Sequence, residues 1–491
     1  MVLPLPLERG SIRAEYLMKT VVTKPARPPL TKGGVMRRMP VIVADTGDFK
    51  KSMGLWQLVA LSLGGLVGAG VFSLAGVVAN EVAGPAVLVS FAIAIIASGA
   101  AGLCYAEFAG MVPRAGSAYT YSYVALGEII GFMIGWDLLL EYTAIVSVVA
   151  IAVSGYLNYI THYIGFDLPT WALGAPGTGS GHKVDLFAVL LCLLLAFLLS
   201  RGTRESARVQ TGLVALKMVI VAIVVVAGAF HIKAGNYQPF FPFGVGGAVS
   251  GAALAFFAVY GYDAMSAAAE ESKDGKKLMP KAIMISLGIA SVVYLLVCLV
   301  IVGMVNYTDI NVSSPFSSAF DSVGMGILGL IIAVGAVVGV TTSAFANMLA
   351  VTRVGFAMSR DGLLPSYFAK SSPVRKVPSR VIWPVGVVSA LIAGFLPIRE
   401  AAELTNVGIL MAFIVVALGV MRLRRTRPEV ERAFRTPWVP VVPLIGIVFS
   451  IWLISHLTWV TWLRFVVWLL LGLGVYVAFS YRHSKLNDVE S

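Results

Sequence analysis

Two clusters of residues in this chain are arranged to do chemistry with their backbones rather than their side chains. The first is Gly64-Gly65-Leu66-Val67-Gly68-Ala69-Gly70, and the second is Phe256-Phe257-Ala258-Val259-Tyr260-Gly261-Tyr262-Asp263. Each lies in the middle of an apolar stretch otherwise long enough to cross a bilayer. Glycines at this density disfavour helix by about 1 kcal/mol each relative to alanine. Lipid offers no partner to freed N–H and C=O groups, so an unwound segment at that depth has to line a cavity. The amides near Gly68, Ala69 and Gly70 open a second half-helix, whose positive dipole end suits a carboxylate. The carbonyls of Leu66 and Val67 then face a cation. In the second cluster Ala258, Val259 and Tyr260 present carbonyls to an amine, and Ala258 and Tyr260 line a side-chain pocket. The competing reading of Gly64–Gly70 is close helix packing through small residues.

Ionisable groups inside apolar segments mark the second kind of chemistry. Lys217 stands alone in Leu213-Val214-Ala215-Leu216-Lys217-Met218-Val219-Ile220-Val221. A charge at membrane depth is a functional candidate by default. Changes in access or neighbours could load or release its proton. Its alternatives are a structural tether between spans and snorkelling toward the interface. Glu141, one turn after Asp137, is the natural acidic partner for Lys217 or for a cationic substrate; its alternative is a helix-packing hydrogen bond. Thr341, Thr342 and Ser343 could hydrogen-bond the Lys217 ammonium or bond back to their own helix. Glu107 near Arg114 reads as a structural ion pair. Asp263 reads as a holder of the unwound backbone or of a gate.

These groups need a membrane scaffold, and the composition supplies one. The chain is 58% hydrophobic and 13% charged, with a mean hydropathy of +0.87, whereas soluble domains carry roughly 25% charge. Apolar stretches of spanning length recur at residues 55–79, 85–111, 127–158, 184–200, 209–231, 247–270, 281–305, 324–358, 380–396, 401–421, 437–456 and 462–480. The third and eighth call for strong tilt or an extension into water, while the fourth and ninth are barely long enough. The net charge of +12 does not imply nucleic acid. Its lysines and arginines concentrate in the tails and alternate loops, around Arg114, Arg201, Lys273–Lys281, Arg353–Arg380 and Arg422–Arg435. The opposite loops keep Lys183, Lys233, Arg399 and Arg464. This positive-inside pattern places both termini in the cytoplasm.

The three cysteines, Cys104, Cys192 and Cys298, all fall within apolar spans, so no structural disulfide is expected. Neither nucleophile–base nor metal-ligand spacing is present, which argues against an enzyme. The expected architecture is all-α and integral to the membrane, with 12 transmembrane helices. Residues 1–53 form a disordered basic cytoplasmic tail, 54–231 hold spans one to five, and 245–422 hold spans six to ten. Residues 436–481 add spans eleven and twelve, and 482–491 form a short cytoplasmic tail. Spans one and six both carry a break and five is odd, so the second unit is inverted relative to the first: a 5+5 inverted repeat. The loop 306–322 could form a short helix over the entrance.

Further motifs accompany the two breaks. They are Tyr105-Ala106-Glu107, Pro113-Arg114-Ala115-Gly116-Ser117-Ala118-Tyr119, Gly135-Trp136-Asp137-Leu138-Leu139-Leu140-Glu141-Tyr142, Thr341-Thr342-Ser343, Ala357-Met358-Ser359-Arg360-Asp361-Gly362-Leu363-Leu364-Pro365 and Phe434-Arg435-Thr436-Pro437. In order and spacing, over residues 54 to 445, the chain resembles the amino acid–polyamine–organocation superfamily, nearest the cationic amino acid transporters and their prokaryotic relatives. The resemblance implies that Phe257 gates the site from outside and that Asn347 lines the side-chain pocket. It implies too that Lys217 occupies the place of a sodium ion in sodium-coupled cousins. A polar Asn347 leaves room for a longer or polar side chain.

The reading that follows is a secondary active L-amino acid transporter of the plasma membrane working by alternating access. It is proton-dependent and sodium-independent, and serves cationic or broad-specificity amino acids. The proton is the coupling ion, and no other cofactor, metal or nucleic acid is expected. Its partners are the substrate and the lipid bilayer, and the protein is a monomer or weak homodimer. Alternatives are a polyamine or amine exchanger, a neutral amino acid permease, and an amino acid sensor that moves nothing. A polyamine would leave the Gly68–Gly70 amides without an anion.

Overall fold

A computed structural model describes residues 37–39, 53–114, 116–201, 207–256, 258–266, 269, 272–369 and 379–486. Among these the chain is helical throughout, with only two isolated β-bridges. Seven helical runs are long and apolar enough to cross a membrane, and four shorter apolar helices accompany them. Residues 1–36 and 40–52 of the expected basic tail, and 487–491, lie outside the described residues. Arg37, within that expected tail, is docked: its guanidinium meets the buried carboxylate of Glu128 at 3.1 Å.

The first run begins with α1 (Leu55–Leu66), breaks, and resumes through wide turns over residues 70–83. Gly84, at φ +63, turns the chain into α2 (Val87–Met111). A short helix that the sequence reading did not foresee, α3 (Ala118–Ala125), precedes the long α4 (Glu128–Tyr163). Next come α5 (Leu186–Ser200) and α6 (Ala207–Ala229). Asp185 caps α5, its side chain accepting from the Ala188 amide at 3.0 Å. The second broken element is α7 (Gly244–Ala255) followed by α8 (Tyr262–Ser266). It leads to α9 (Gly275–Met304), α10 (Pro315–Ser322), α11 (Gly326–Arg360), α12 (Ser379–Phe395) and α13 (Ile398–Thr426). The chain closes with α14 (Val441–Ser455) and α15 (Trp459–Val475).

The helices turn apolar side chains outward, as lipid requires, and hold a minority of polar and ionisable groups within an otherwise apolar core. Leu190, Val226, Val292, Leu391, Val448 and Leu470 are exposed, while Glu107, Glu141, Lys217 and Asp263 are buried. The long α4 and α11 pack against each other at the core. The expected α10 is present and sits over the first broken element, with Phe316 edge-on to Phe72 at 6.5 Å. Pro315 fills the space that a side chain at Gly76 would need.

Glu107 is in an ion pair, but with partners other than the neighbouring Arg114. Arg424 grips it through two bonds, Nε to Oε1 at 3.0 Å and Nη2 to Oε2 at 2.7 Å, and Arg432 adds one at 3.2 Å. The Thr436 amide donates at 2.8 Å. The loop after α13 thus folds back onto α2. Arg114 instead donates to the Met39 sulfur at 2.9 Å. Because Glu107 and Arg432 are almost fully buried, Glu107→Ala strands two guanidinium groups and should cost about 3–5 kcal/mol. Thermal unfolding in detergent should show a large drop for Glu107→Ala and a smaller one for Glu107→Gln; equal stability for all three proteins would contradict this role.

Candidate functional site

The site is built where the two broken elements cross. In the first, α1 ends at Leu66 and Val67 leaves helical geometry (φ −90, ψ 78). Helix resumes when the Val71 and Phe72 amides take the Gly68 carbonyl at 3.1 and 3.2 Å. The amides of Ala69 and Gly70 therefore open the second half, where no preceding turn supplies acceptors. In the second element, turns at Ala258 and Val259 (amides to Ala255 and Phe256 carbonyls, 2.9 and 3.2 Å) end α7. Gly261 then takes φ +146 before α8 starts.

Two glycines make the crossing possible. A Cβ on Gly261 would lie 2.8 Å from the carbonyl carbon of Gly65 and 2.8 Å from the Leu66 nitrogen. A Cβ on Gly65 would lie 3.0 Å from the Gly261 oxygen. The backbones touch, and any side chain there would push them apart. One hydroxyl holds the junction: Tyr294 Oη, from α9, lies 2.5 Å from the Leu66 carbonyl and 2.6 Å from the Ala258 carbonyl. A single hydroxyl proton serves acceptors on both broken elements. Its ring stacks on Phe91 at 5.2 Å. Tyr294 was not singled out in the sequence, because one tyrosine in an apolar span reads as ordinary core.

A cavity of about 20 Å³ opens at the crossing. Leu66, Gly68, Ala69, Gly70, Ala258, Tyr260 and Asn347 line it, as do Gly65, Gly261, Ile145 and Val149. Of the other expected wall residues, Val67 and Val259 are buried beside it but do not line it. The Val259 carbonyl is occupied by the Ser98 hydroxyl at 2.8 Å. Phe257, the expected gate, lies outside the described residues. Phe256 is packing, buried edge-on to Phe413 at 5.3 Å. Asn347 donates to the Ser343 carbonyl at 2.8 Å, which steadies its amide at the cavity wall.

Lys217 is fully buried and points at the first break. Its Nζ donates to the Gly64 carbonyl at 3.1 Å and to Ser343 Oγ at 3.3 Å, and Ser343 itself donates to Gly64. A Cβ on Gly339 of α11 would come within 3.0 Å of the lysine's own Cβ, so the stem runs close along that glycine. The ammonium therefore joins α6, α1 and α11 at one point. Thr341 and Thr342 do not reach it: each bonds back to its own helix, to Val337 at 2.6 Å and Gly339 at 2.7 Å. Ser343 is the hydroxyl on the correct face.

Glu141 is placed elsewhere than beside Lys217. It interacts electrostatically with the acidic Asp263 and Asp137, and its two carboxyl oxygens have no hydrogen-bond partner among the described residues. The Tyr260 hydroxyl is likewise unpartnered there. Asp263, just past the second break, accepts from the Tyr142 hydroxyl. An acidic, hydroxyl-rich patch thus adjoins the cavity through Tyr260. Tyr294→Phe should keep the stacking yet cut the link between the two breaks, leaving the Ala258 carbonyl without its donor and the Leu66 carbonyl with only the Gly68 amide at 3.2 Å. Solute uptake by the purified variant is expected to fall about tenfold with unfolding temperature little changed; full uptake would contradict the bridging role.

Comparison with known proteins identifies the family. The amino acid permease family matches residues 53–481. The chain belongs to the amino acid permease family. That places it in the amino acid–polyamine–organocation superfamily and makes it a multi-pass membrane transporter rather than an enzyme. It is 42% identical to the methylthioribose transporter of Bacillus subtilis (strain 168), over 89% of this chain and 95% of that one. It is 41% identical to the branched-chain amino acid permease BcaP of the same organism, over 93% of this chain and 100% of the relative. The vacuolar cationic amino acid transporter 4 of Arabidopsis thaliana is 39% identical, over 77% of this chain and 64% of its own length.

Proposed function

We propose that this amino acid permease is a secondary active L-amino acid transporter working by alternating access, driven by protons and independent of sodium. The observation that carries the reading is the crossing of two unwound segments at Gly65 and Gly261 around one cavity. The Ala69 and Gly70 amides suit the substrate carboxylate, and the opposing carbonyls of both breaks suit its ammonium. A cavity of about 20 Å³ has room for little more than one water, so the surrounding helices must move apart for an amino acid to enter. That requirement favours alternating access over a standing pore.

Twelve spans in a 5+5 inverted repeat plus two helices fit this fold. The first long run divides at Gly84, the broken α7–α8 pair makes one span, and the remaining helices supply the others. Within that scheme residues 54–231 and 245–422 are the two repeats, with 436–481 appended. The basic loops place both termini in the cytoplasm, with the plasma membrane as the site of action and a monomer or weak homodimer as the working unit. Lys217, in place of a sodium ion, is the coupling residue, and Ser343 with the Gly64 carbonyl is its docking point. Asn347 and the Glu141 patch favour cationic or broad-specificity substrates.

A second reading, neutral branched-chain transport, has its own support. Ile145 and Val149 form an apolar wall of the cavity, and a relative at 41% identity is named a branched-chain amino acid permease. Uptake of labelled leucine, lysine and alanine into proteoliposomes, in sodium-free buffer with and without an inward pH gradient, tests both. Accumulation that rises with the gradient is expected. Leucine without lysine would select the second reading, and no uptake of any of the three would defeat both.

A further inference from the structure

A second and larger cavity, of about 310 Å³, lies beside α10 and apart from the crossing. Its walls are the turn after α6, the end of α9, the stretch 306–311 and the face of α10 that points away from Phe72. Its floor is apolar, made by Met304, Ile310 and Ala319, and its rim is polar. The rim carries opposite charges, Lys233 and Asp309. Lys233 enters no ion pair among the described residues, and its backbone is pinned to the Gly303 carbonyl at 2.9 Å. Two carboxamides on the rim are oriented by the loop. The Asn306 oxygen accepts from the Thr308 amide and hydroxyl at 3.2 and 3.0 Å. The Asn311 oxygen accepts from the Ser313 and Ser314 amides at 2.9 and 3.2 Å. Both oxygens are thereby engaged by the loop itself, and the NH₂ ends are left as donors.

We propose that this cavity is a second binding site for a small zwitterion. The ammonium of Lys233 and the two NH₂ groups take the anionic pole, Asp309 takes the cationic pole, and an apolar substituent rests on the Met304–Ile310–Ala319 floor. The volume lies at the lower end of small-molecule sites and accommodates a whole amino acid, which the crossing cavity does not. Ser318 and Ser322 of α10 line the site while Phe316 of the same helix packs on the first broken element. Occupancy is therefore felt by the helix that packs on the first broken element. The site faces the outside under the orientation proposed above, but its binding chemistry does not depend on that orientation. Two sources carry this chemistry, a free amino acid and an ethanolamine phospholipid headgroup.

Purified full-length protein in detergent tests the assignment. Equilibrium dialysis with radiolabelled leucine and lysine should give two equivalents for the unmodified protein and one for Lys233→Ala and Asp309→Asn, with uptake in proteoliposomes retained. If the amino acids give one equivalent throughout, mass spectrometry of retained phosphatidylethanolamine decides the lipid source. Retention lost in both variants supports the site with a lipid occupant. No variant-sensitive binding of either kind overturns the proposal. Loss of uptake with two equivalents still bound would instead count against the transport reading alone.

Discussion

Gly261→Ala is expected to abolish uptake while the protein still inserts and folds. Two independent effects act at that one methyl group. The backbone there has φ +146, a region L-residues occupy at a cost of about 1–3 kcal/mol. The added carbon would also sit 2.8 Å from the Gly65 carbonyl carbon and the Leu66 nitrogen. Overpacking at such a point costs about 1–3 kcal/mol more. The only relief is separation of the two unwound segments, which dismantles the site between them. Gly288→Ala is the control, since nothing lies within 4 Å of a side chain there. Uptake of labelled amino acid and unfolding temperature should both stay near normal for the control. If Gly261→Ala kept wild-type uptake, the backbone crossing would not be the functional element.

Lys217→Ala should remove proton-stimulated uptake, leaving at most a residual flux about tenfold or more below the original. The ammonium is buried against the Gly64 carbonyl and Ser343. Removing it leaves an apolar hole beside Gly339 and weakens the link between α6, α1 and α11. Lys217→Ala and Lys217→Met separate the two roles proposed for it. Methionine restores most of the lost volume without the charge, so recovery of stability alone would assign Lys217 to coupling. Recovery of gradient-driven uptake by Lys217→Met would assign it to packing. Ser343→Ala should weaken uptake less, because the Gly64 contact at 3.1 Å survives.

The features most readable from the sequence were those in which composition itself breaks a pattern. Four glycines among Gly64–Gly70 and the isolated Gly261 interrupt apolar runs, and the helices break at those places. The meeting of Gly65 with Gly261 was not readable, because it is a contact between distant segments that no local period encodes. Lys217 stood out as one charge among apolar neighbours, but its hydroxyl partner did not. Thr341, Thr342 and Ser343 point about 100° apart around a helix, and only the packing of α11 selects Ser343. Glu107 illustrates the opposite error: Arg114 is near in sequence, yet Arg424 and Arg432 reach it through the folded-back loop. Glu141 and Lys217 were paired by opposite charge alone. Packing instead places Glu141 among Asp137, Asp263 and Tyr260.

Competition for uptake by fragments of one amino acid tests the central claim most directly. If the amides of the first break hold a carboxylate while carbonyls of both breaks hold an ammonium, each pole is necessary. Unlabelled leucine and lysine should suppress uptake of the labelled substrate. Their decarboxylated amines and deaminated acids should leave it nearly unchanged at the same concentrations. Equal competition by an amine or an acid with only one pole would contradict the account.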